Sequence, residues 1–233
     1  MKKLTALILA LFLVLSSAMA YAAAGITYDA KAVTYLNAKF ECGCSRTGGG
    51  ALVARNCLIT AAHNLVCPDH NKHLKTCDFF FNWDGSTYSG RYTGRFSYRW
   101  YADFSHGYNS QDDIAYVIFP ENVADRTGFY ETGVISYGEE SLGWDYCTIY
   151  GYSGKKRVSD RSKVQFADSK QICWPMSSGF RNTMEGGPVL WGSSGVFLTA
   201  VYTSHDGTTG YARLLTGDII DDMLRDGADF WQD

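Results

Sequence analysis

Eight short apolar runs, rich in β-branched and aromatic residues, punctuate the chain: GALVA, CLITAA, FFFNW, IAYVIF, CTIYGY, GPVLW, GVFLTAVYT and GYARLL. Each has the length of a strand, and Gly, Ser, Asn and Asp separate them. Helical periodicity is nearly absent before the C-terminus, so the core must be built by sheets, as a barrel or a sandwich. The exception is TGDIIDDMLRD near the end. Thr216 is placed to cap a helix there, with acidic residues in its early turns and Ile219, Ile220 and Leu224 spaced for one face. No internal repeat or flexible linker interrupts the pattern, and EESLG at 139–143 is the candidate junction between two halves.

The first residues, MKKLTALILALFLVLSSAMAYAAAG, have the layout of a cleaved secretory leader: two lysines, an apolar run from Leu4 to Leu15, then small residues at A-x-A spacing. The run is shorter than the ~20 residues of a spanning helix. Cleavage after Ala22 would leave 211 of the 233 residues and, with Lys2 and Lys3 gone, move the formal charge from −3 to −5. An acidic chain offers no general attraction to nucleic acid or to an anionic membrane. A soluble protein, secreted or periplasmic, is the expectation.

Residues 88–101, YSGRYTGRFSYRWY, interleave arginine with aromatic residues. Such a stripe can stack on bases, but in an acidic chain the preferred reading is a pair of strands whose Arg stems lie over aromatic rings.

Three further segments carry chemistry. GGGALVARNCLITAAHNL at 48–65 places His63 after a β-run. DDIAYVIF at 112–119 puts Asp113, or its neighbour Asp112, before a strand. NTMEGGPVLW at 182–191 carries a Gly-Gly-Pro turn. Together with FLTAVYTSHDGTTGYARLLTGDIIDDML at 197–224, these segments, in this order, resemble chymotrypsin/trypsin-like serine proteases, and CTIYGYSGKK at 147–156 resembles their bacterial, glutamyl-endopeptidase-like branch.

The resemblance implies an all-β fold of two packed six-stranded antiparallel β-barrels, chymotrypsin-like, with a short C-terminal helix. The domains would be a signal peptide at 1–22, an N-terminal barrel at 23–138 carrying His63 and Asp113, and a C-terminal barrel at 139–233 carrying the Glu185 turn. It implies His63 as general base, Asp113 as the carboxylate that fixes its tautomer, and backbone amides at Thr183 and Glu185 as the oxyanion-hole positions. Gly179, Val201, Tyr202 and Thr203 would line the substrate pocket, with His205 an exposed loop residue just beyond.

Glu185 stands where the family has its serine. A carboxylate is a poor nucleophile towards an amide and has no hydroxyl proton for His63 to remove. Thr183 stands where the family usually has glycine, whose backbone freedom a β-branched residue lacks. Ser177, Ser178 and Thr183 are nearby hydroxyls, but a change of register would detach any of them from the Gly-Gly-Pro turn. The leading reading is a catalytically inactive homologue that binds polypeptide or regulates, with Glu185 ion-paired to His63. The alternatives are an active endopeptidase using another nucleophile or register, and a metal-dependent hydrolase built on His63, Asp113 and Glu185.

Seven cysteines fall after the leader, an odd number. CPDHNKHLKTC at 67–77 offers Cys67, His70, His73 and Cys77, which read either as a zinc set or, in an exported chain, as a Cys67–Cys77 disulfide with two solvated histidines. The resemblance also suggests Cys67 paired with Cys42 or Cys44; in the second barrel Cys147–Cys173 is the expected pair. Cys57 reads as a buried thiol. No metal or other cofactor is called for, and the expected partner of a monomeric chain is a polypeptide substrate or a protein.

Overall fold

The computed structural model describes residues 30–135, 146–180, 185–191 and 197–230. The leader at 1–22, the junction at 139–143 and Thr183 lie outside the described residues. Two sheets and one helix account for most of the rest.

The first sheet comprises β1 (Val33–Phe40), β2 (Ser45–Ala54), β3 (Cys57–Thr60), β4 (Val66–Cys67), β5 (Lys72–Phe81), β6 (Gly90–Tyr92), β7 (Ser97–Trp100) and β8 (Ala115–Ile118). Its order is β4-β5-β1-β2-β3-β8-β7, with β6 on β5, and every pair is antiparallel. The second comprises β9 (Glu131–Thr132), β10 (Tyr146–Ser153), β11 (Lys156–Lys163), β12 (Gln165–Phe166), β13 (Gln171–Pro175), β14 (Pro188–Trp191), β15 (Phe197–His205) and β16 (Thr209–Leu214), ordered β11-β10-β14-β15-β16-β13-β12. Among the described residues only β9, against β15, pairs in parallel. Each sheet has, among the described residues, six strands of four residues or more, as expected, plus two shorter ones. Both sheets curl, giving two β half-barrels.

Burial explains the sequence pattern. Strands β3 and β8 are buried at every position, so CLIT and AYVI read as continuous apolar runs rather than alternating ones. Strand β10 has more water on one face and alternates accordingly. The second core gathers Trp174, Phe180 and Tyr202 with Ile149, Val189 and Leu214. Tyr152, Leu190 and Val201 of the second sheet join the first core instead, and Tyr152 meets Tyr35 edge-on at 5.2 Å. This packing joins the two sheets.

Helix α1 (Gly217–Arg225) follows Thr216, which occupies the N-cap position without a side-chain capping bond. It packs on the first sheet: Met223 Sδ accepts from the Cys57 thiol at 3.6 Å, and Tyr101 donates to Asp222 at 2.8 Å. Its buried face is Ile219 and Met223, an i, i+4 pair, whereas Leu224, expected on that face, is exposed. The arginine–aromatic stripe is consumed by the protein itself. Arg91 lies 5.2 Å over the Phe80 ring, and Arg99 pairs with Asp222 and Asp226 at 3.1 and 3.6 Å.

Candidate active site

His63 sits in a single 3-10 turn, Ala62–Asn64, directly after β3. Ala61 and Ala62 are fully buried beside it, which accounts for the small residues of the TAAH stretch. Asp113 lies two residues before β8, the strand paired with β3, so the sheet register carries the two together. The Asp113 carboxylate accepts from the His63 backbone N–H at 2.9 Å and lies 2.6 Å from His63 Nδ1. Asp112, the neighbour weighed for this role, is turned away and pairs with Lys170 at 2.7 Å.

Asp113 is fully buried and His63 nearly so. A carboxylate taken out of water is costly unless donors surround it. A third donor is Tyr108, whose hydroxyl lies 2.8 Å from Asp113 Oδ2 and 2.7 Å from the Thr203 carbonyl. Its ring meets His63 at near right angles, 5.9 Å between centroids, and stacks on Phe104. Burial first, and the Asp113 charge second, push the Tyr108 phenol far above its ordinary range; the hydroxyl is thus held as a neutral donor. Asp113 at Nδ1 places the ring proton there and leaves Nε2 as the basic nitrogen. Tyr108 carries no sequence signal beyond being a lone aromatic residue in the polar stretch HGYNSQDD.

The Glu185 turn is pinned by its backbone. Glu185 O accepts from Gly49 N at 2.8 Å and from Asn64 Nδ2 at 3.2 Å, and Gly186 N donates to Tyr202 O at 2.7 Å. The two glycines are sterically required. Gly186 has φ +99°, and a Cβ there would collide with the Gly49 carbonyl and Asn64, while one on Gly187 would collide with the Tyr150 carbonyl. Gly-Gly-Pro is thus a packing solution between the two sheets, whatever the chemistry beside it.

The Glu185 carboxylate lies 3.7 Å from Nε2 of His205, not in the expected ion pair with His63. His205 ends β15, and its Nδ1 accepts from Gly207 N at 3.2 Å. It is half-buried rather than a free loop residue. Of the positions expected to line a pocket, Val201, Tyr202 and Thr203 are buried, and the Tyr202 ring packs 5.5 Å from Trp174 and 5.6 Å from Phe180. Gly179 is exposed on the turn before Phe180.

No disulfide joins the expected pairs. Cys67 pairs in register with Lys72, while Cys77 lies farther along β5 opposite Ala38, and burial pushes the Cys77 thiol well up. Cys147 lies between β11 and β14, whereas Cys173 lies between β12 and β16. Cys57 is fully buried, as expected. The proposed zinc set also divides. His73 is 5.0 Å from the Trp100 ring and 3.2 Å from the Tyr98 hydroxyl, while Cys67 and His70 gather with Cys42 and Cys44. Among the described residues that is the one group of three or more metal-competent side chains to converge; the ligand atoms of His63, Asp113 and Glu185 do not gather in this way.

The fold is similar to that of solved proteases. A thermostable serine protease, AL20, from an extremophilic microorganism matches with a TM-score of 0.68 over 84% of this chain and 96% of its own, at 13% identity. The chain has the chymotrypsin-like serine-protease fold. The protease Anisep from Arthrobacter nicotinovorans matches with a TM-score of 0.66 over 85% and 96% at 16% identity. A Glu endopeptidase in complex with MPD matches with a TM-score of 0.65 over 84% and 90% at 17% identity. No protein-family model and no curated protein sequence matches the chain. Its structural neighbours are thus serine proteases at low sequence identity, and no helix among the described residues is long and apolar enough to cross a membrane.

Proposed function

We propose that this protein is an exported, proteolytically inactive homologue of the serine proteases that binds polypeptide, as a decoy or regulator, in the cleft between its sheets. The observation that carries this reading is the Glu185 carboxylate beside His205, on a turn held by Gly49 and Asn64. Acyl transfer needs a hydroxyl whose proton the imidazole can take, and at this position there is none. The polypeptide class is drawn from the neighbours, which are named as proteases and an endopeptidase.

A second reading has one observation in its favour. The buried His63–Asp113 pair keeps the geometry of a base and its orienting group, so an endopeptidase drawing on another hydroxyl remains the alternative. Fluorophosphonate labelling separates the two, because only an activated hydroxyl reacts. The natural protein is expected to stay unlabelled while retaining an unfolded polypeptide intact, as followed by mass spectrometry. Stoichiometric labelling mapped to a Ser or Thr would overturn the proposal.

A further inference from the structure

Four metal-competent side chains outside the cleft converge from two turns. Cys42 and Cys44 flank Gly43 in the reversal between β1 and β2, where Phe40 N donates to Cys44 O at 2.9 Å and Gly43 N donates to Phe40 O at 3.0 Å. Gly43 has φ +88°, a conformation that lets so short a reversal form. Cys67 closes β4, and His70 lies in the turn to β5, where Asn71 also has positive φ. The two turns meet because β1 pairs with β5 as far as Phe40 and Leu74, and because Glu41 N donates to His73 O at 3.0 Å.

The ligand atoms of Cys42, Cys44, Cys67 and His70 all lie within 4.8 Å of one another. Nδ1 of His70 is 3.5 Å from Cys44 Sγ and 3.6 Å from Cys67 Sγ. In a tetrahedral site with Zn–S near 2.3 Å and Zn–N near 2.0–2.1 Å, the sulfur-to-nitrogen edge is about 3.6 Å. A thiol–imidazole hydrogen bond could produce one such distance; two sulfurs sharing one nitrogen, with a third sulfur alongside, match a metal polyhedron better. A disulfide would join only two of the three sulfurs and leave the third thiol and the imidazole unused.

We propose that Cys42, Cys44, Cys67 and His70 form a closed, four-ligand Cys3His site for a thiophilic divalent metal, zinc foremost. Four protein ligands leave no open position, so the role is structural. The site clamps the β1–β2 turn to the β4–β5 hairpin. Since Cys67 follows His63 by only four residues, it also anchors the chain that leaves the His63 turn. Cys67 is buried and His70 exposed, so an ion can enter from the solvent side.

The test uses the full processed chain, purified without reductant or chelator, with metal content measured by mass spectrometry. The proposal expects about one zinc per chain. Replacement by Co(II) is expected to give intense tetrahedral d–d bands and a sulfur-to-metal charge-transfer band on the wild-type protein, which needs no variant to fold. Cys44→Ser and His70→Ala should lower bound zinc at least about tenfold, while His73→Ala should retain it. Wild-type protein that arrives metal-free and takes up neither ion after reduction would overturn the site. So would a disulfide between two of the three cysteines that persists in zinc-supplemented preparations. Retention of full zinc by both Cys44→Ser and His70→Ala would also overturn it.

Discussion

The carboxylate of Glu185 lies 3.7 Å from Nε2 of His205, while Nδ1 of His63 lies 2.6 Å from Asp113. Glu185 and His63 thus have separate partners. The pair is loose and partly exposed, so it is a weak contributor to stability. A double-mutant cycle with Glu185→Gln and His205→Gln should return a coupling of about 0.2–1 kcal/mol in urea denaturation. A cycle of Glu185→Gln with His63→Gln should return none, and a larger coupling there would restore the pairing with His63.

On the proposed function, placing a hydroxyl at position 185 is not by itself expected to produce proteolysis. If Thr183 fails to present its amide, Glu185→Ser should stay roughly 100-fold or more below the double variant Thr183→Gly, Glu185→Ser, the usual cost of a missing oxyanion donor. Turnover of peptide ester substrates by the two variants measures this. Equal rates would remove Thr183 from the account.

The glycines of the turn should prove intolerant for steric reasons. Gly186→Ala forces a side chain into positive φ and against the Gly49 carbonyl, and its cost should be on the order of 3 kcal/mol. Gly179→Ala, where a Cβ meets open space, is the control and should melt within a few degrees of the parent. Thermal unfolding of both compares them directly.

Tyr108→Phe should cost about 1–2 kcal/mol by taking one donor from the buried Asp113 carboxylate. The readout is urea denaturation at neutral pH. No loss would mean that His63 and its backbone N–H already suffice.

Alkaline stability follows from four hydrogen-bonded phenols. Tyr101, Tyr108, Tyr116 and Tyr152 are all pushed up chiefly by burial, Tyr116 to about 12. Below about pH 10 these phenols are protonated in both states and contribute no slope; above it the unfolded chain releases protons that the folded chain keeps, so stability falls as pH rises. Denaturation between pH 9 and 11 should show this loss beginning near pH 10, with a shallower slope in Tyr116→Phe.

The sequence determined the apolar strands β2, β3, β5, β8, β10, β14, β15 and β16, the terminal helix and the segments bearing His63, Asp113 and Glu185, because short apolar runs and turn residues are local signals that burial enforces one position at a time, whereas the more polar β1 and β11 carry no such run. The preference for Asp113 over Asp112 came from the resemblance to the serine proteases. The tertiary structure decided which side chains meet. Register between β1 and β5 brings Cys42 and Cys44 to Cys67 and His70, although the sequence window 67–77 pointed to His73 and Cys77. The loop before Asp113 delivers Tyr108 to its carboxylate, and the end of β15 delivers His205 to Glu185. Such meetings depend on hydrogen-bond register and on sheet-to-sheet packing, and neither leaves a period in the chain.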